Sequence, residues 1–125
     1  MNYTFYYTPE FLRSVKKLNK KYHTLADDLA NFQQEFVSNP NAGVDLGSGY
    51  RKIRVSISGK GKGKKGGARI ITFELYVKLV EDETGVLLVD MYDKNEIANM
   101  PEEVYTYIAR QYVEKRNTDS MHNDN

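Results

Sequence analysis

Apolar and polar side chains alternate along the central run Tyr50-Arg51-Lys52-Ile53-Arg54-Val55-Ser56-Ile57-Ser58. A glycine- and lysine-rich segment follows it, Gly59-Lys60-Gly61-Lys62-Gly63-Lys64-Lys65-Gly66-Gly67. The alternation predicts a β-strand over 50–58, with its aliphatic side chains in the core and with Lys52 and Arg54 on the opposite face. A second strand is predicted from Arg69 onward, so that the two strands and the segment between them form a hairpin.

Positive charge is concentrated on this predicted hairpin. Residues 50–69 contain eight of the 18 Lys and Arg residues, and no acidic residue lies between Asp45 and Glu74. The whole chain of 125 residues nevertheless has a formal net charge of only +1. Local charge governs the binding of a polyanion more than the average does, so the hairpin is the candidate binding element.

Composition excludes several classes of site. Cysteine is absent, which rules out disulfides, a thiol nucleophile and a zinc–thiolate centre. The two histidines, His23 and His122, are far apart, so no metal or other cofactor is expected. The N-terminus does not resemble a signal peptide, and no apolar run approaches the roughly 18 residues of a membrane span. We therefore expect a cytoplasmic protein without a membrane partner.

The remaining elements extend the hairpin into an α+β domain. Alternation predicts a first strand over 2–7, and Thr8 and Pro9 are typical of a helix start. Two helices follow up to residue 38, then a turn-rich connection over 39–49, the three central strands and a last helix. The element order βααβββα predicts a small twisted antiparallel sheet with helices packed on one face. One domain is predicted over 1–116, with a polar and disordered tail over 117–125.

A basic surface is predicted where the central strands pair. It combines five side chains, Lys52, Arg54, Arg69, Tyr92 and Lys94. Arginine offers phosphate a planar fork and lysine offers it a point charge, so the surface suits a phosphodiester backbone. Exposed strand positions are often basic, however, and a solvated face without a ligand is the alternative.

Further RNA contacts are predicted around this surface. Tyr50 and Tyr92 have rings of the kind that stack on unpaired bases. Four lysines of the glycine-rich segment would contact phosphates without reading sequence: Lys60, Lys62, Lys64 and Lys65. The segment is not a P-loop, because no Gly-Lys is followed there by Ser or Thr. A flexible connection kept soluble by lysine is the other interpretation.

Without a local histidine or clustered carboxylates, catalysis at this surface would depend on the 2′-hydroxyl that RNA itself carries. Such a reaction needs a base, a clamp for the charge on phosphorus and an acid for the leaving 5′-oxygen. Lys52, with Arg54 beside it, is the candidate base, since neighbouring cations lower a lysine pKa. Arg69 would hold the transition-state charge, and either Lys94 or Tyr92 would donate the proton.

The same residues carry a resemblance to a known family. The motifs are Gly49-Tyr50-Arg51-Lys52-Ile53-Arg54-Val55, Gly59-Lys60-Gly61-Lys62, Lys65-Gly66-Gly67-Ala68-Arg69-Ile70-Ile71, Asn39-Pro40 with Gly43, and Tyr92-Asp93-Lys94-Asn95-Glu96. In this order they resemble the RelE/ParE superfamily of toxins, and more narrowly its HigB-type branch, over about residues 5–112.

The resemblance implies the toxin of a type II toxin–antitoxin system. Such a toxin is an endoribonuclease (an mRNA interferase) that inhibits translation by cutting mRNA in the ribosomal A site. It implies three partners: the ribosome with its rRNA, the mRNA, and a cognate antitoxin, a helix-turn-helix DNA-binding protein. Lys52 and Arg54 match the family's basic pair, Arg69 matches the arginine of the next strand, and Lys94 and Asn95 match the last basic segment.

One family feature is not matched. RelE-like members have a base-stacking tyrosine near the start of the last helix, where this chain has Pro101, with Tyr105 a turn later. Two other functions remain open on the same fold. One is a ParE-like toxin that inhibits gyrase, and the other is a catalytically inactive module that binds RNA or the ribosome.

Overall fold

The computed structural model describes residues 2–58, 67–75 and 83–123 of the chain. The elements in chain order are β1 (Asn2–Tyr7), α1 (Pro9–Lys21), α2 (Leu25–Ser38), β2 (Val44–Gly47), β3 (Tyr50–Val55), β4 (Ala68–Leu75), β5 (Glu83–Asp93) and α3 (Glu102–Asn123). The predicted α+β class is confirmed. The strands form one five-stranded sheet in the order β1-β5-β4-β3-β2, with β4 at its centre.

The sheet differs from the prediction at both edges. β1 pairs with β5 in parallel, so the sheet is mixed rather than wholly antiparallel. At the other edge, β2 lies inside the segment predicted as a turn-rich connection and pairs antiparallel with β3. Its tight turn uses left-handed backbone at Gly47 (φ 88°), Ser48 (φ 55°) and Gly49 (φ 89°). The turn residues dominate the sequence signal here, because only Val44 and Leu46 suggest a strand.

Helices lie on both faces of the sheet, which corrects the prediction of one covered face. α1 and α2 pack with Ile70 and Leu88 in one core cluster. α3 packs with Ile71 and Leu87 in a second cluster. Neighbouring residues of a strand point to opposite faces, so these apolar runs in β4 and β5 are buried on both sides.

Thr8 connects the start of α1 to the centre of the sheet. Its hydroxyl accepts a hydrogen bond from Phe11 N at 2.9 Å, which confirms the predicted N-cap. The same hydroxyl donates to the carbonyl of Val89 at 2.6 Å. Val89 is the extra residue of a bulge, since the partner of Ile71 is Asp90 and the partner of Thr72 is Leu88. The cap therefore fixes α1 against an irregular point of β5.

α3 continues to Asn123, so residues 117–123 are helical rather than a disordered tail. Neither glycine nor proline occurs after Pro101 to end the helix, and a helix that has formed adds further residues easily. Thr118 supports this part by donating its hydroxyl to Glu114 O at 3.0 Å.

Within the described ranges, no helix has the combination of length and hydropathy needed to cross a bilayer.

Candidate functional site

Four of the five predicted catalytic side chains line one cleft of about 690 Å³. It lies beside β3 at the start of β2, and we call it the basic cleft. Its lining contains four cations and one carboxylate, namely Lys52, Arg54, Arg69, Lys94 and Glu35. The rest of the lining is mainly apolar and consists of Phe32, Phe36, Ala42, Gly43, Val44, Ile53 and Ala98, together with the polar Asn99.

The register of the sheet brings the arginines together. Arg54 on β3 is directly opposite Arg69 on β4, and Arg69 is directly opposite Tyr92 on β5. Residues directly opposite one another place their side chains on the same face, about 5 Å apart at Cβ. Lys52 is two residues from Arg54 and so lies on that face as well. The predicted pairing of the hairpin strands is thus confirmed.

Arg69 is the most unusual group of the cleft because its charge is buried. Only 4% of the residue is exposed, and its guanidinium donates to the Ala68 carbonyl at 3.2 Å. Among the described residues, no carboxylate lies within 4.0 Å of it. Burial lowers the pKa of Arg69, the Arg54 charge lowers it further, and Tyr92 counteracts them. Buried charges normally have a partner, so this site is suited to an anionic ligand.

Lys52 has a partner that the sequence did not indicate. Its ammonium donates a hydrogen bond to Asn99 Oδ1 at 2.9 Å, between residues 47 positions apart. Asn99 lies in the loop between β5 and α3, and both residues line the basic cleft. No local pattern could have shown this contact, since it depends on where the loop crosses the sheet.

Tyr92 is buried beneath the site rather than open to the cleft. Only 4% of the residue is exposed, and its ring packs in the cluster on the α3 face. Burial raises the pKa of its hydroxyl, while the backbone of Met100 and the Arg69 charge oppose the rise. In the described part of the chain, that hydroxyl makes no hydrogen bond of normal geometry. The prediction that Tyr92 stacks on a base is therefore wrong, because its ring is not accessible.

Tyr50 also lies outside the cleft. Its ring stacks on Phe73 at a centroid distance of 4.5 Å and contacts Tyr105 at 5.0 Å. The predicted role of Tyr50 in stacking on RNA bases is not supported, because these protein rings occupy it. Tyr105, the residue near the family's missing tyrosine, is itself buried in this contact.

The turn that carries Lys94 is held by a buried carboxylate. Asp93, which is 1% exposed, accepts hydrogen bonds from Tyr22 Oη at 2.8 Å and from Asn95 N at 2.9 Å. Lys94 is exposed and lines the cleft, whereas Asn95 is exposed but not part of the lining. Four further predicted RNA contacts, Lys60, Lys62, Lys64 and Lys65, lie outside the described residues.

Arg51 has a structural role within the basic run. Its side chain donates to the carbonyls of Asn41 and Ala42 and approaches Asp45 at 3.8 Å. These contacts hold the wall of the cleft, where Gly43 has a φ of 83°. A Cβ on Gly43 would lie 2.4 Å from the Lys52 carbonyl, so only glycine permits this approach of the wall to β3.

Within the described residues, no group of three or more His, Cys, Asp or Glu side chains is placed to hold a metal ion. The chain matches no family model.

Proposed function

We propose that this protein is an endoribonuclease that cleaves RNA by attack of a 2′-hydroxyl on the adjacent phosphodiester. The observation that carries the proposal is the buried Arg69 guanidinium, which has no carboxylate within 4.0 Å among the described residues and lines a cleft with three other cations. A phosphate group supplies the negative charge that Arg69 lacks, and the planar fork of arginine matches its oxygens.

The four cations have distinct roles in this reaction. Lys52, in its neutral form, removes the proton from the 2′-hydroxyl, and O2′ forms a bond to phosphorus. Arg54 and Arg69 contact the non-bridging oxygens, where negative charge develops in the transition state. The bond from phosphorus to O5′ then breaks, and Lys94 donates a proton to the leaving oxygen. The products are a 2′,3′-cyclic phosphate and a 5′-hydroxyl.

Lys94 suits the role of proton donor better than Tyr92. Lys94 is exposed and lines the cleft, whereas the Tyr92 hydroxyl is buried and its pKa is raised by burial. A substrate in the cleft can reach Lys94 without any change in the protein.

The sequence resemblance supports a narrower form of the proposal. Its motifs supply Lys52, Arg54, Arg69 and Lys94, the same four residues that line the basic cleft. The RelE/ParE resemblance points to a type II toxin of the HigB-type branch, which acts in the cytoplasm on mRNA in the ribosomal A site. A cognate helix-turn-helix antitoxin would then neutralise it.

Cleavage on ribosomes tests the proposal directly. Purified protein is added to ribosomes that carry a defined mRNA and an empty A site, and the new 5′ ends are mapped. We expect cuts in the A-site codon, and losses of at least about 100-fold in rate with Lys52→Ala or Arg69→Ala. Lys16→Ala is the matched control, because Lys16 is an exposed residue of α1 that does not line the cleft.

Three outcomes would contradict the proposal. Cleavage that persists in a folded Arg69→Ala protein would exclude this cleft as the active site. Intact mRNA with a DNA-damage response in cells would indicate a gyrase inhibitor. Ribosome binding without any mapped cut would indicate an inactive binding module. Circular dichroism of each variant verifies that the fold is retained.

A further inference from the structure

Asn99 is the one hydrogen-bond partner of the Lys52 ammonium within the described residues, at 2.9 Å. Four other charged groups line the same cleft, from α2, β3, β4 and the turn after β5; they are Glu35, Arg54, Arg69 and Lys94. Three of them are cations, and within the described residues Glu35, the one carboxylate of the lining, forms no ion pair with Lys52. The closest polar partner of the candidate base is therefore a neutral amide.

We infer that Asn99 is a positioning residue for Lys52, an inference that rests on the proposed function. A lysine side chain has four rotatable bonds and a freely turning amine, so an unheld Nζ samples many directions. The Asn99 carbonyl takes one N–H of Lys52 and thereby fixes the direction of Nζ. When Lys52 is neutral, its lone pair is then directed away from Asn99 and is available to the 2′-hydroxyl.

The loop is able to hold Asn99 because the residues after it are anchored. Met100 packs in the core cluster on the α3 face. The carbonyl of Pro101 accepts hydrogen bonds from Val104 N at 3.0 Å and Tyr105 N at 3.3 Å, which starts the first turn of α3. Asn99 is thus fixed relative to the sheet by its chain neighbours, while its own side chain is exposed and reaches Lys52.

An amide is also the suitable acceptor for a base. A carboxylate at the same position would place a negative charge beside the amine, which favours the ammonium form over the neutral base. Asparagine orients the amine without adding the charge that would keep it protonated.

Two substitutions separate orientation from charge in single-turnover cleavage of mRNA on ribosomes, measured from pH 6 to pH 9. With Asn99→Ala we expect about a tenfold lower rate at saturating enzyme, at every pH, with half-saturation unchanged within twofold. With Asn99→Asp the acceptor remains but a negative charge is added, so we expect the rise in rate with pH to move to higher pH. Its rate then approaches the native value towards the alkaline end of the range, which the rate of Asn99→Ala does not do.

Asn117→Asp is the matched control, since it adds the same charge at an exposed position of α3 that does not line the cleft. It is expected to leave rate and pH profile unchanged. Native rates and profiles for both Asn99 variants, with Lys52→Ala inactive, would overturn the inference and leave the proposed function intact. An equal loss in both variants without a shift of the pH profile would also overturn it, because that is the result of a purely structural role. Activity in Lys52→Ala would instead overturn the proposed function.

Discussion

Arg54 and Arg69 lie directly opposite each other on β3 and β4, and both side chains line the basic cleft. Like charges at directly opposite strand positions destabilise a sheet, and burial of Arg69 adds a desolvation penalty. No carboxylate offsets this within the described part of the chain. Among the described residues, the Arg54–Arg69 pair is therefore an unfavourable interaction that an anionic ligand would relieve.

Arg69→Met should separate stability from activity. Methionine retains the apolar bulk and removes the buried charge, so we expect the free energy of unfolding to increase by about 1–3 kcal/mol. Cleavage should be lost in the same variant. Urea denaturation measures the first effect, with Arg13→Met on the exposed face of α1 as control, expected to change stability by about 0.5 kcal/mol or less. A destabilised Arg69→Met protein would mean that Arg69 is compensated in the native state.

Tyr92→Phe tests the buried hydroxyl below the cleft. A buried polar group without a hydrogen bond destabilises a protein by about 1–3 kcal/mol, so its removal should increase the free energy of unfolding by about 1 kcal/mol. We expect cleavage to stay within about threefold of the native rate, since Lys94 is the proposed donor. A loss of 100-fold or more in a stable variant would assign the proton donor to Tyr92 instead.

Tyr22→Phe removes a tyrosine hydroxyl that does have a hydrogen-bond partner, unlike the hydroxyl removed in Tyr92→Phe. The Tyr22 hydroxyl donates to Asp93 at 2.8 Å. Hydrogen bonds to charged groups contribute about 1.5–3 kcal/mol, so we expect this variant to be destabilised by that amount. The turn after Asp93 carries Lys94, and cleavage should fall together with stability. Chemical denaturation and ribosome cleavage are measured on the same preparation. Unchanged stability would show that Asp93 is held by its other contacts alone.

Asp90 should make the protein less stable as pH rises. Burial raises the pKa of its carboxyl, although Ser14 Oγ donates to it at 2.7 Å and Met91 N at 2.8 Å. The native state then binds this proton more tightly than the unfolded chain, whose carboxyl titrates near pH 4. The free energy of unfolding therefore falls as pH increases from about 4 through the native pKa.

Asp90→Asn removes that dependence. We expect the variant to be more stable than the native protein at pH 7, with a smaller gain near pH 4, in urea denaturation at both values. Asparagine keeps an oxygen that can accept from Ser14. Asp119→Asn, an exposed carboxylate of α3, is the control and should show no such trend. A gain that is independent of pH would mean that titration of Asp90 does not contribute.

Local chemistry made several features predictable. Thr8 is an N-cap residue and Pro9 suits the first helical position, and α1 begins there. The alternation predicts a half-buried strand over residues 50–58, and β3 covers its first six residues, whereas residues 56–58 lie beyond the strand. Both predictions rely on interactions between residues close in sequence, and they can therefore be made without knowledge of the fold. β2 was not predicted because this four-residue strand ends at the left-handed Gly47, which Ser48 and Gly49 follow in the same conformation, so the segment carries mainly a turn signal.

Part of the candidate site could likewise be predicted from the sequence, and part of it could not. Alternation along β3 places Lys52 and Arg54 on one face, and antiparallel pairing adds Arg69, so the group of cations could be predicted from the sequence. The sequence does not predict the accessibility of each group, because burial depends on which helix covers which part of the sheet. α3 covers Tyr92 and Tyr50 and leaves Lys94 exposed, and its preceding loop brings Asn99 to Lys52. Contacts between distant parts of the chain arise only in the packed structure, where long-range packing determines which polar groups face the cleft.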